Sequence, residues 1–140
     1  MTQRGRIFIL IIWIVGILFP FFFIRRFSHL YKTGFDWAFQ SNITHVVMHV
    51  FLYAVFAWLL SSVFSNKQKK ISPLVVVLVA LVISMLQELI QLITIKSPAG
   101  WDDIIDILVD ISGAIIGISV FRWRWGKGKL EANRKNKSQK

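Results

Sequence analysis

The chain has 140 residues, of which 55% are hydrophobic, and a formal net charge of +10. A soluble domain of this length buries only about two-thirds of its surface, too little to hide so much apolar mass. A nucleic-acid-binding surface is excluded by where the charge lies, since 8 of the 17 basic residues follow Phe121, and the absence of cysteine excludes disulfides, thiolate metal sites and thiol nucleophiles.

Four apolar blocks follow one another along the chain. The first, residues 7–24 (IFILIIWIVGILFPFFFI), holds no charge and as a helix spans roughly 27 Å, about one hydrocarbon core. Arg4 and Arg6 precede it like the n-region of a signal peptide. No small-x-small cleavage site follows, and Arg25-Arg26 closes the segment, so it reads as a retained helix. The stretch from Arg25 to Ile43 is rich in aromatics (Phe27, Tyr31, Phe35, Trp37, Phe39) and suits the membrane interface. The second block covers residues 44–64, and a short basic turn (Asn66-Lys67-Gln68-Lys69-Lys70) leads to the third at 73–95. A turn broken by Pro98 and Gly100 leads to the fourth at 104–121. From Gly126 the chain is polar and basic, the composition of a disordered tail.

Lipid admits only helices or closed barrels. The run VVVLVALVI in the third block lacks the alternation of a barrel strand. The expected fold is therefore an all-α polytopic membrane protein with four transmembrane helices in residues 1–125 and a tail in 126–140. With four crossings both termini share one side. That side holds 13 Lys and Arg against 4 on the other, which places the N and C termini in the cytoplasm of a multi-pass cell-membrane protein.

The informative residues are those that insertion penalises. An Asp near the bilayer centre costs about 2.5–3.5 kcal/mol on insertion scales, so such residues face a bundle interior or a wet cavity. His45, His49 and Tyr53 share one face of the second block; Ser84, Glu88 and Gln91 share one face of the third, with Gln87 beside them. Asp103, Asp106, Asp110, Gly113 and Gly117 step by three and four along the fourth. Counted from the block ends, His49, Glu88, Asp106 and Asp110 all fall roughly 3–10 Å below the outer boundary, while the cytoplasmic halves of the same helices are almost purely apolar. This predicts one polar pocket that opens outward. His45 reads as an interfacial residue, Asp102 and Asp103 as acids suited to a helix N-terminus, and Gly113-x-x-x-Gly117 as a close-packing seam.

With these residues in place the chain resembles the VanZ-like family of small bacterial membrane proteins. The resemblance rests on His49 with Tyr53, on Glu88-x-x-Gln91, and on Asp103-x-x-Asp106-x-x-x-Asp110-x-x-Gly113-x-x-x-Gly117, and covers roughly residues 40–120. The family pattern usually has an Asp-Lys pair where this chain reads His45-Val46, an Asn where Asp110 stands, and an Arg in the external turn where only Lys96 is offered. The resemblance implies a role in the bacterial envelope, the founding member being associated with low-level resistance to the glycopeptide teicoplanin.

Three function classes fit these residues. In the first, the pocket of His49, Tyr53, Glu88, Gln91, Asp103, Asp106 and Asp110 binds an envelope lipid, a cell-wall precursor or an amphiphilic drug, with the bilayer and a second copy of the chain as further partners. In the second, His49, Glu88, Asp106 and Asp110 hold a metal that acts on an envelope lipid or lipid-linked precursor, although no H-E-x-x-H spacing is present. In the third, the carboxylates relay protons or ions in a transporter component. The first is preferred, with no cofactor assigned.

Overall fold

The computed structural model describes residues 2–19, 41–65, 70–95 and 98–138. They form four helices and, among the described residues, no strand: α1 (Gln3–Leu18), α2 (Asn42–Phe64), α3 (Pro73–Ile95) and α4 (Trp101–Ser138).

Local chemistry sets most of the helix ends. Thr2 caps α1 by accepting the Gly5 N–H at 3.3 Å, and Ser41 caps α2 by accepting the Ile43 N–H at 3.2 Å. α3 opens on Pro73, whose missing N–H costs nothing at a first helical position. At the start of α4, Asp103 reaches back to the Gly100 N–H at 2.6 Å, as the acidic residue of a capping box does. α1 stops where the sequence expectation ran on. Pro20 forces its predecessor out of helical dihedrals, and Phe19 is extended at φ −71°, ψ 123°. Only the first part of the expected 7–24 span therefore lies in α1; residues 20–40, with the aromatic stretch, lie outside the described residues, as does Lys96. α4 differs in the other direction. Its backbone stays helical to Ser138, well past the expected end at residue 121 and through the tail expected to be disordered. Lys, Leu, Glu, Ala and Arg in that segment are all good helix formers.

Among the described residues three helices are long and apolar enough to cross a membrane: Asn42–Phe64, Pro73–Thr94 and Trp101–Gly126. Their surfaces are inverted relative to a soluble protein. On α3 the exposed positions are Leu74, Leu78, Val82, Met85, Leu89 and Ile93, whereas Ser84, Gln87 and Glu88 are buried. On α4 Ile104, Leu108, Ile115 and Trp123 are exposed and Asp110 is fully buried. Apolar outside and polar inside is the arrangement that hydrocarbon favours.

Side-chain contacts give the helix directions. His45 and His49 of α2 meet Asp106 and Asp110 of α4 in the same order, so α2 and α4 run parallel. Gly113 and Gly117 continue that register. A Cβ on Gly113 would lie 2.5 Å from the Val50 carbonyl oxygen, and one on Gly117 would collide with the Ala54 carbonyl. The two helix backbones are thus nearly in contact. α1 runs opposite to α2, with the Arg6 guanidinium donating to the Ser62 carbonyl (3.2 Å) and the Trp13 indole to the Leu52 carbonyl (2.9 Å). The bundle divides along its length. Phe56, Ala57, Leu60, Val63, Val76, Ala80, Ala114 and Ile118 fill one part with apolar side chains, and the polar residues collect at the end where α2 and α4 begin.

Candidate functional site

Asp110 is the centre of the polar cluster. It is fully buried, and each carboxylate oxygen has a partner on a different helix. Oδ1 lies 2.8 Å from His49 Nδ1 on α2, and Oδ2 accepts the Ser84 hydroxyl of α3 at 2.6 Å. With Asp110 as acceptor, the hydrogen of the first contact sits on Nδ1 of the imidazole. Three helices are thus tied through one side chain. One turn nearer the start of α2 and α4, His45 Nδ1 lies 3.5 Å from Asp106 Oδ1 in a more exposed pairing, and the His45 and His49 rings approach at 4.4 Å between centroids. One turn farther in, the Tyr53 hydroxyl donates to Gln87 Oε1 at 3.0 Å and closes the polar layer against the apolar core.

Glu88 is different in kind. Its side chain is only 4% exposed, and its Oε1 has no hydrogen-bond partner among the described residues. A buried polar atom in that condition costs about 1–3 kcal/mol, more for a charged group. Glu88 also stands at a boundary. Behind it are His49 and Asp110, each offering a ligand atom within 4.8 Å of the others. In front of it is an open groove of about 870 Å³ between α3 and the start of α4, lined by Val82, Leu86, Leu89, Leu92, Ile104 and Ile107, with Glu88 and Asp103 its two acids. The groove is otherwise apolar, and Glu88 is the residue it shares with the cluster.

The seven residues singled out from sequence therefore occupy different places. His49, Glu88, Asp106 and Asp110 come together, and Tyr53 borders them through Gln87. Asp103 lines the groove while holding the start of α4. Gln91 is half-buried and joins none of the hydrogen bonds of the cluster. Three participants were absent from the expected pocket. His45 is a partner of Asp106 and not merely an interfacial residue. Ser84 and Gln87 supply the hydrogen bonds that hold Asp110 and Tyr53. A signal for His45 exists in the sequence: His45 and His49 are four apart, as are Asp106 and Asp110, so two parallel helices in matching register must make both pairs or neither.

A family model described as VanZ/LLP1 matches residues 6–125. No curated protein and no solved structure matches the chain. The match covers most of the sequence, and the chain belongs to the VanZ/LLP1 family.

Proposed function

We propose that this VanZ/LLP1-family membrane protein crosses the bacterial cell membrane four times with both termini in the cytoplasm, and binds the polar head of an amphiphile from the outer side. The amphiphile is an envelope lipid, a lipid-linked cell-wall precursor or a drug of that shape. Its chain lies in the groove between α3 and α4, and its head reaches the His49, Glu88, Asp106 and Asp110 cluster. One observation carries this reading: Glu88 lines an apolar groove and also belongs to a buried cluster, where one of its oxygens has no donor among the described residues. A ligand with a cationic, hydroxyl or amide head would supply that donor while its chain stays among Leu86, Leu89 and Ile107. Resistance to envelope-active agents follows if the ligand is such an agent or its target.

The proton-relay alternative finds less support. Beyond Tyr53 the bundle interior is filled by Phe56, Ala57, Leu60, Val76, Ala80 and Ile118, and among the described residues no ionisable side chain bridges from the cluster to Arg6 at the far end. A relay needs titratable groups or water along its whole path.

The test is photolabelling in native membranes with a diazirine-bearing lipid, followed by peptide mapping. Label should concentrate on α3 and α4 around Leu89 and Ile107, and Leu89→Trp, which fills the groove, should reduce it several-fold. Uniform labelling of the exposed faces, unchanged by Leu89→Trp, would remove the proposal. A strain lacking the chain should also change its sensitivity to at least one envelope-active agent.

A further inference from the structure

We propose that His49, Glu88 and Asp110 form a binding site for one divalent cation of the zinc or manganese type. The site shares residues with the proposed head-group pocket but stands without it. Three observations converge. The three side chains come from three helices and are each buried, at 5%, 4% and 0% exposure. Each offers one ligand atom within 4.8 Å of the other two. Glu88 Oε1 has no hydrogen-bond partner among the described residues, although it is buried.

The chemistry of the donor set selects the ion. One imidazole nitrogen and two carboxylate oxygens suit Zn²⁺ or Mn²⁺, whereas Mg²⁺ prefers all-oxygen sites in which it keeps several waters. Bonds of about 2.0–2.2 Å let two ligand atoms on one ion stand up to roughly 4 Å apart. The cluster therefore needs only a small contraction. Charge points the same way. A neutral imidazole and two ionised carboxylates around a divalent ion sum to zero, and a neutral assembly is the cheapest one to keep in a low-dielectric interior. Ser84 then has a defined part. Its hydroxyl holds Asp110 Oδ2 at 2.6 Å and fixes the carboxylate from behind, as outer hydrogen bonds do around metal ligands.

A second triplet, His45, His49 and Asp106, also places ligand atoms close together and shares His49. It is more exposed, since His45 and Asp106 are only part-buried whereas all three members of the deeper triplet are buried. The orphaned oxygen of Glu88 places the ion in the deeper triplet.

The full chain, purified into lipid nanodiscs, is stripped with a chelator and titrated separately with Zn²⁺, Mn²⁺ and Mg²⁺. Metal content is read by mass spectrometry and stability by thermal melting. Zn²⁺ or Mn²⁺ should bind at about one per chain and raise Tm. Glu88→Gln, which keeps the size of the side chain, should weaken binding by at least about tenfold, whereas Asp106→Asn should change it far less. No stoichiometric Zn²⁺ or Mn²⁺ on the wild-type chain, a result that needs no variant, would overturn the site. So would a loss confined to Asp106→Asn with Glu88→Gln unaffected. Lipid photolabelling of the stripped chain separates the two readings. Labelling that persists where no metal binds removes the cation and leaves the head-group pocket. Metal that binds to a chain taking up no lipid supports the cation and removes the pocket.

Discussion

The single side chain on which most depends is Asp110. It is fully buried, and both His49 and Ser84 are oriented by it. Truncating it to alanine strands both partners, and breaking a buried pair costs roughly 3–5 kcal/mol. Tyr53→Phe removes one hydroxyl from Gln87, a contact of a type that averages about 0.6 kcal/mol in membrane bundles. Reversible unfolding in mixed micelles should rank Asp110→Ala well below Tyr53→Phe. Equal costs would mean that the Asp110 network is not holding the three helices. Glu88 should behave in the opposite sense. With one oxygen unsatisfied among the described residues, its replacement by the similarly sized Met should stabilise the metal-free chain by about 1–3 kcal/mol, the signature of a residue kept for binding. Zn²⁺ should narrow or reverse that difference, and a Glu88→Met chain less stable than wild type in chelator would contradict it. His49, Glu88, Asp106 and Asp110 were legible in the sequence because the bilayer makes each costly. His45, Ser84 and Gln87 were harder to find. A serine or glutamine in a helix is cheap enough to need no partner, and which side chain it meets depends on helix rotation, which spacing along one helix does not specify.

Between elements, the closest contact is the parallel crossing of α2 and α4. Gly113 and Gly117 admit the Val50 and Ala54 carbonyls into the space a Cβ would need. Backbone cannot step aside as a flexible side chain can, so Gly117→Ala must push the helices apart. Overpacking of this kind costs about 1–3 kcal/mol, and it should also lengthen both imidazole–carboxylate contacts, which lie about two and three turns away. Gly16 in α1 is the control, because a Cβ there meets nothing within 4 Å, and Gly16→Ala should be neutral or stabilising by up to about 1 kcal/mol. Unfolding measurements that found the two substitutions alike would show that the seam is not tightly closed. The elements themselves were readable to different degrees. α3 matches its expected span of 73–95 because Pro73 starts it and a long apolar run fills it. α1 ends at Leu18, short of the expected 24, since hydropathy cannot register the restriction that a proline places on the residue before it. The end of α4 was missed for the converse reason: a polar basic segment reads as tail by composition, yet its Lys, Leu, Glu, Ala and Arg residues favour helix and continue one already nucleated.

At the scale of the whole molecule, the +10 charge and the apolar bulk occupy separate parts of the chain. Thirteen of the 17 basic residues belong to the N-terminal segment, the turn between α2 and α3, and the chain after Phe121, whereas six of the seven acids lie elsewhere. The contacts among helices fit this partition. Arg6 touches Ser62, and Gln3, Ser62 and Trp125 border one hollow, so the start of α1, the end of α2 and the late part of α4 share one end of the bundle. The His49, Asp106 and Asp110 cluster occupies the other. If α1 crosses, as the proposal requires, the basic end is cytoplasmic by the positive-inside rule and the cluster faces out. A chain without cysteine allows a clean test, because each introduced thiol is the only one present. Gln3→Cys, Ser72→Cys and Ala99→Cys all fall at exposed positions. In intact cells, a membrane-impermeant maleimide should label Ala99→Cys and spare the other two until the membrane is opened. Gln3→Cys labelled from outside while Ser72→Cys stays protected would show that α1 does not cross, and would undo the four-helix topology. Labelling of both Gln3→Cys and Ser72→Cys with Ala99→Cys protected would invert the molecule. The acidic cluster would then open to the cytoplasm, where an extracellular drug or a cell-wall precursor on the outer leaflet could not reach it.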